Sequence, residues 1–121
     1  MKPQDKDRIK KMMLFVNDVI ILSKDITLDR LTNDKSFQYS LLYPLGQIGE
    51  IAIKISESAQ SDGNRIEEIY PNIEWADWRG FRNRLFHDYG TIDFGIVLEM
   101  IDEAIPLLKT ELTIVLGASV N

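Results

Sequence analysis

The chain has 121 residues, 45% of them apolar, and a formal net charge of −5 at pH 7. This length corresponds to one domain, residues 1–121, with enough apolar side chains for a single core. The sequence has no cysteine and one histidine, which excludes a disulfide framework and the common cysteine or multi-histidine zinc sites. We therefore expect no metal and no cofactor.

Charge is unevenly distributed along the chain. Basic side chains collect at Lys2–Lys11 and at Arg79–Arg84, and after Arg84 only Lys109 is basic, against six acidic residues. Binding to a nucleic-acid backbone relies on many Lys and Arg side chains. The sequence therefore indicates a local contact with a polyanion, or one that is completed by a second subunit.

Apolar residues at steps of three and four predict a first amphipathic helix from about Asp5 to Ser23. Its apolar stretch, Met12–Leu22, is interrupted by Asn17 and Asp18 and is followed by no small-residue cleavage site, so we do not interpret it as a signal peptide. The longest uncharged run, Ser36–Gly49, is too short and too polar to span a bilayer. We expect a cytoplasmic protein without a membrane segment.

The polar residues 25–33 lack periodicity and are predicted to form a connection. A second long helix should begin with a cap near Thr32–Asp34 and end before the turn-forming residues 58–64. Pro44 should kink this helix. Three small residues at three-residue steps predict a shallow face where another backbone approaches closely: Gly46, Gly49 and Ala52.

Residues 65–70 form at most a short helix, because Pro71 follows. Helical spacing resumes at Trp75 and continues to Phe86. Gly90 and the cap residues at 91–93 then end this segment.

A last helix is predicted from about Asp93 to beyond Val115, interrupted by Pro106, with Gly117 past its end. No segment of useful length alternates with the period of a strand. The pattern predicts an all-α fold of four to five helices.

The segment from Arg79 to Tyr89 contains the residues best suited to chemistry. It contains the one histidine, His87, with three arginines before it and no acidic residue until Asp88. A side chain that titrates near neutrality beside fixed guanidinium groups suits proton transfer at a phosphate. The three arginines are Arg79, Arg82 and Arg84.

The chemistry we assign to this segment is metal-independent cleavage of RNA. A 2′-hydroxyl attacks the adjacent phosphate, His87 acts as general base or acid, and Arg82 stabilises the oxyanion. Asn83 hydrogen-bonds the phosphate or orients the imidazole, while Arg79 and Arg84 bind phosphate or RNA.

Arg82 and His87 are five residues apart, about 140° around an ideal helix. Both therefore reach one phosphate only if the helix bulges or ends near Phe86, or if the site is assembled across a two-fold axis. A dimer that brings two copies of His87 together would supply both an acid and a base.

Structural interpretations of the same residues are also open. A single histidine near a helix end is commonly a surface or capping residue, and the arginines could pair with Glu74, Asp77 or Asp88. Trp75 and Trp78 fit core or dimer contacts better than base stacking. Tyr89 would be a half-buried tyrosine with a hydrogen-bonded hydroxyl.

The block from Trp75 to Asp93 reads Trp-x-x-Trp-Arg-Gly-Phe-Arg-Asn-Arg-Leu-Phe-His-Asp-Tyr-Gly-x-Ile-Asp. Two further elements are Ile48-Gly49-Glu50 before it and Ile105-Pro106-x-Leu108 after it. In sequence and order these elements resemble the signature of HEPN ribonucleases, and among them the HepT-like toxins of the MNT–HEPN toxin–antitoxin family.

The resemblance implies a HEPN-type antiparallel helical bundle and a homodimer, with the two Arg-x-x-x-x-His segments facing each other in a cleft. It makes Arg82 and His87 the ribonuclease pair and Asn83 a polar helper. It also implies a separate partner, a nucleotidyltransferase antitoxin of the MNT type, which adenylylates Tyr89. The added bulk and negative charge would block a cationic cleft.

The leading hypothesis is thus an endoribonuclease toxin of a two-component system. The alternative is a non-catalytic helical dimer that binds the nucleotidyltransferase, with the motif as a salt-bridge and capping network. A small-nucleotide-binding protein is a weaker third interpretation, because the sequence has no glycine-rich phosphate loop.

Overall fold

Seven α-helical segments make up most of the computed structural model, which describes residues 1–120, with side chains described for residues 1–117. A 3₁₀ turn at Tyr89–Thr91 follows the fifth segment, and a π-helical stretch at Met100–Ala104 joins the last two into one rod. Residues 1–120 contain no strand, so the prediction of an all-α fold is confirmed. The segments are α1 (Pro3–Leu22), α2 (Leu28–Asn33), α3 (Lys35–Asp62), α4 (Ile66–Ile69), α5 (Trp75–His87), α6 (Phe94–Glu99) and α7 (Ile105–Val120).

The long helices pack as an antiparallel bundle. α1 packs against α3 and α7, and α3 packs against α5 on its other side. Lys2 and Gln4, at the start of α1, donate hydrogen bonds to Asp62 at the end of α3, at 3.2 and 3.0 Å, so these two helices run in opposite directions. None of the helices in the described part of the chain is long and apolar enough to cross a membrane.

The core consists of the apolar faces that the sequence predicted for α1, α3 and the last rod. Trp75 and Trp78 are each 4% exposed within a single chain, which confirms them as core residues. The steps of three and four residues in α1 also place Ile20 on the predicted apolar face, but Ile20 is 38% exposed. The side chains at or below 1% exposure include Ile9, Met12, Val16, Val19, Leu31, Leu41, Leu45, Ile48, Ile55, Ile105, Leu112 and Val115.

The small-residue face of α3 is where α5 approaches most closely, as predicted. A methyl group added at Gly46 would lie 2.6 Å from Cδ2 of Leu85. One added at Gly49 would lie 2.6 Å from Cβ of Arg82 and would collide with the carbonyl oxygen of Trp78. The two backbones therefore pack at a distance that only glycine permits.

Three boundaries predicted from the sequence are wrong. α3 does not end before residues 58–64 but continues to Asp62, where Gly63 in the left-handed conformation (φ 73°) ends it. Residues 28–33 form α2, not a connection: Thr27 Oγ1 accepts a hydrogen bond from the amide of Arg30 at 3.1 Å, and Leu31 is fully buried. A six-residue helix with one buried residue shows no periodicity. The last helix also continues through Gly117 to Val120, because the roughly 1 kcal/mol cost of glycine in a helix does not by itself end it.

The two prolines within the long rods have different effects. α3 continues through the buried Pro44 without a break. The predicted interruption at Pro106 takes the form of the π-helical stretch immediately before it, which accommodates the missing amide donor of the proline. Predicted caps are confirmed at Asp34, which accepts from the amide of Phe37, and at Asp93, which accepts from Gly95 and Ile96.

Replacing Gly49 by alanine tests the close packing of α3 and α5. We expect Gly49→Ala to lower the free energy of unfolding by about 1–3 kcal/mol, because the added methyl overpacks the helix contact. Gly80→Ala is the matched control, since Gly80 also lies in α5 and a Cβ added there would have no described atom within 4 Å apart from its chain neighbours and its own helix backbone. It should raise stability by about 0.5–1 kcal/mol through helix propensity. Urea unfolding followed by circular dichroism measures both, and equal effects of the two changes would contradict the packing.

Candidate functional site

The end of α5 places the candidate catalytic residues. The amide of Asp88 donates to the carbonyl of Arg84 at 2.8 Å, which is the last α-helical bond, and the backbone then leaves the helix at Asp88 with φ −151° and ψ 45°. The helix therefore ends after His87, and it is regular from Trp75 to that point. Arg82 and His87 consequently remain about 140° apart around the axis, as on an ideal helix.

Arg82 is fixed by contacts on both sides. Its Nε donates to Oε2 of Glu50 on α3 at 2.7 Å, and its Nη1 donates to Oδ1 of Asn83 at 3.2 Å. The guanidinium carbon lies 4.5 Å from the ring centroid of Phe86, a cation–π distance. The side chains of Arg82 and Glu50 are 24% and 28% exposed, so the charged head is held at the surface in one orientation and has further N–H donors.

The other two arginines differ in their contacts. Arg79 Nη1 pairs with Glu67 on α4, whereas Arg84 is exposed and, within residues 1–117, forms no ion pair. The sequence suggested Glu74, Asp77 or Asp88 as salt-bridge partners of the motif. The observed partners, Glu67 and Glu50, are distant in sequence and are brought in by helix packing.

His87 is exposed at the end of α5. Among the described residues its imidazole forms no hydrogen bond or ion pair with another side chain. The structure therefore brings Arg82 and Asn83 together in one chain, but within residues 1–117 no hydrogen bond or ion pair joins the His87 side chain to them.

Tyr89 is held by a buried glutamine that the sequence analysis missed. Its hydroxyl donates to Oε1 of Gln38 at 2.5 Å, and Nε2 of Gln38 donates to the carbonyl oxygens of Leu31 and Thr32 at 3.0 and 3.4 Å. These two carbonyls fix the orientation of the amide, so its oxygen must face Tyr89. The prediction of a half-buried tyrosine with a bonded hydroxyl is confirmed. The sequence feature that could have indicated this role is the position of Gln38, a polar residue on the apolar face of α3, where it is 2% exposed.

The environment of Tyr89 disfavours its ionisation. Burial raises the pKa of the Tyr89 hydroxyl, and the neighbouring Tyr39 raises it further. The neutral form, which donates to Gln38, is therefore the form that the fold stabilises.

Removing the hydroxyl of Tyr89 should destabilise the fold. Tyr89→Phe leaves Oε1 of the buried Gln38 without its donor, and we expect a loss of about 1–3 kcal/mol in the free energy of unfolding at pH 7. Tyr43→Phe, at an exposed tyrosine, is the control and should have little effect.

The same comparison has a pH dependence. The stabilisation is present below the unfolded pKa near 10 and is lost as the pH rises through the raised pKa of folded Tyr89. The difference between wild type and Tyr89→Phe should therefore shrink above about pH 10. A difference that grows with alkaline pH would contradict this account.

Known proteins similar to this chain are described as ribonucleases. A family model described as "Ribonuclease HepT-like" matches residues 6–115. "Putative RNase MJ1380" of Methanocaldococcus jannaschii is 34% identical over 99 residues, which is 82% of this chain and 84% of that protein. "Probable ribonuclease HepT" of Thermococcus cleftensis is 25% identical over 109 residues, 90% of this chain and 93% of that protein.

No solved structure matches the chain. The family match contains the whole candidate site, from Gln38 to Tyr89, and nearly the whole helical bundle. The resemblance stated from the Trp75–Asp93 block is thus confirmed across the chain, which belongs to the HepT-like ribonuclease family.

Proposed function

We propose that this chain is a metal-independent endoribonuclease toxin of a two-component toxin–antitoxin system that acts on RNA in the cytoplasm. The observation that carries the proposal is a fixed arginine, Arg82, followed on the same helix by an exposed histidine, His87, that has no side-chain partner among the described residues. This pair occurs in a chain of the HepT-like ribonuclease family.

The proposed reaction is an internal transesterification. His87 removes the proton from a 2′-hydroxyl, the 2′-oxygen attacks the adjacent phosphorus, and the bond from phosphorus to the 5′-oxygen breaks. The products are a 2′,3′-cyclic phosphate and a 5′-hydroxyl that receives a proton from a second acid. N–H donors of Arg82 stabilise the charge that builds on the phosphoryl oxygens. Asn83 uses its carbonyl oxygen for Arg82, which leaves its amide group to donate to the phosphate.

A homodimer would complete this site. Because α5 is regular up to His87, one protomer directs Arg82 and His87 to different sides of the helix. A two-fold axis would bring two copies of each residue into one cleft and provide the second acid. Arg84 is the better candidate of the flanking arginines for RNA phosphates, because Arg79 is occupied by Glu67.

Neutralisation is proposed to occur by adenylylation of Tyr89 by a nucleotidyltransferase antitoxin. The tyrosine oxygen attacks the α-phosphorus of ATP, pyrophosphate leaves, and a base of the antitoxin takes the hydroxyl proton. An esterified oxygen has no proton to donate, so it would face Oε1 of Gln38 as a second acceptor. The tyrosine ring would then have to move away from Gln38, which would displace residues 88–91 beside His87. The AMP group would also add negative charge there.

One observation favours the alternative, a non-catalytic dimer that binds the nucleotidyltransferase. Two of the three motif arginines are in ion pairs, as a purely structural network would have them. The catalytic function requires His87 in the folded protein, whereas the binding function does not.

Growth of cells that express the chain alone separates these functions. We expect wild type to arrest growth and His87→Ala to relieve the arrest with an unchanged circular dichroism spectrum, because the His87 side chain is exposed and forms no hydrogen bond or ion pair with the described residues. Arg82→Ala should also relieve it. Since that change also breaks the ion pair with Glu50, Glu50→Gln is the control that loses the pair but keeps the arginine. Equal growth of wild type and His87→Ala would favour the binding function.

Modification of Tyr89 can be followed by intact-protein mass after co-expression with an MNT-type nucleotidyltransferase. Wild type should gain one or more AMP groups and Tyr89→Phe none. Gln38→Met removes the acceptor that holds the hydroxyl while keeping a similar volume, so it should be modified faster. Tyr89→Phe that gains the same mass as wild type would place the modification elsewhere.

A further inference from the structure

Two exposed aromatic side chains are associated with the residues next to His87 in the sequence. Phe86, immediately before it, is 60% exposed. Tyr39 of α3 is 55% exposed and packs edge to face against Tyr89, with ring centroids 6.3 Å apart and an interplanar angle of 60°. An exposed aromatic ring therefore lies directly before His87 in the chain and another packs against Tyr89, and the proposed chemistry uses neither.

Each of these rings is accompanied by a cation. The guanidinium of Arg82 lies 4.5 Å from the centroid of Phe86, and Nζ of Lys35 lies 5.9 Å from the centroid of Tyr39. Lys35 is exposed and forms no ion pair within the part of the chain whose side chains are described. Its charge is therefore available to an anion next to the Tyr39 ring.

The position of Tyr39 relative to the site is fixed through Tyr89. Gln38 holds the hydroxyl of Tyr89 at 2.5 Å, and Gln38 is itself anchored to two backbone carbonyls. The Tyr39 ring thus packs against a residue two positions after His87, while more than half of its own side chain remains exposed. An apolar ring kept exposed beside a phosphate-directed site suggests a ligand with a flat apolar surface.

We infer that Tyr39 is a stacking platform for an unpaired nucleobase of the RNA next to the cleaved phosphate, with Lys35 contacting a neighbouring phosphate. The inference rests on the proposed function and names the substrate class, single-stranded RNA. Aromatic rings alternating with basic side chains bind single strands, since every base offers a flat face and every nucleotide a phosphate. A footprint of a few nucleotides also agrees with a chain whose net charge is −5.

Cleavage kinetics on short single-stranded RNA test the platform. Tyr39→Leu should raise KM about tenfold with kcat little changed, as expected for loss of one base-stacking contact that is equal in ground and transition states. Tyr39→Phe keeps the ring and should behave as wild type. Tyr43→Leu is the matched control, because Tyr43 lies one turn further along α3, is 61% exposed and packs against Phe15 instead. Unchanged KM for Tyr39→Leu, or an equal rise for Tyr43→Leu, would overturn the inference.

Binding to the His87→Ala protein separates failure of the platform from failure of the proposed function. Fluorescence anisotropy with labelled oligonucleotides measures affinity whether or not wild type cleaves RNA. When one abasic nucleotide is moved along the strand, we expect the affinity to fall about tenfold at one position. At that position, Tyr39→Leu should cause no further loss of affinity. Additive losses would overturn the platform.

The alternative ligand for the surface around Tyr39 is a second copy of the chain. Light scattering on the same variants decides it: an unchanged particle mass with weaker RNA binding supports the platform. A mass that falls together with RNA affinity in Tyr39→Leu would assign Tyr39 to a protein interface and overturn the inference.

Discussion

The absence of a side chain at Gly49 is the constraint on which the candidate site depends. The carbonyl oxygen of Trp78 and Cβ of Arg82 occupy the space that any larger residue would fill. This contact sets both the distance and the rotation of α5 against α3, so that Nε of Arg82 meets Glu50 at 2.7 Å. With α5 rotated in this way, the imidazole of His87 stays exposed at the end of the helix.

A second anchor holds the chain just beyond the histidine. Gln38 connects the hydroxyl of Tyr89 to the backbone carbonyls of Leu31 and Thr32 in the last turn of the short helix α2. The segment with His87 is thus fixed before and after, while the histidine side chain forms no hydrogen bond or ion pair among the described residues. Fixed supports around one unbonded imidazole suit the proposed site, which a second protomer and RNA would complete.

The sequence predicted what repeats locally and missed what depends on packing between distant segments. Helical periodicity, the Asp34 and Asp93 caps and the small-residue face of α3 all follow from short spacings, and the structure confirms them. The sequence did not predict α2, because one buried leucine makes no periodic pattern. It did not predict Glu50 and Glu67 as partners of the arginines, because they lie on other helices. The Trp75–Asp93 block was sufficient to identify the family, whereas the catalytic roles of its residues are proposed.

Analysis of the ends of cleaved RNA tests the central claim most directly. Purified wild type is incubated with a short RNA in the presence of EDTA, beside the same strand with a single 2′-deoxy nucleotide at the cleaved position. A reaction in which the 2′-oxygen attacks phosphorus predicts a 2′,3′-cyclic phosphate, a 5′-hydroxyl and no cleavage of the deoxy-substituted strand. Cleavage of that strand at the same bond, or cleavage only after a divalent metal is added, would contradict the account.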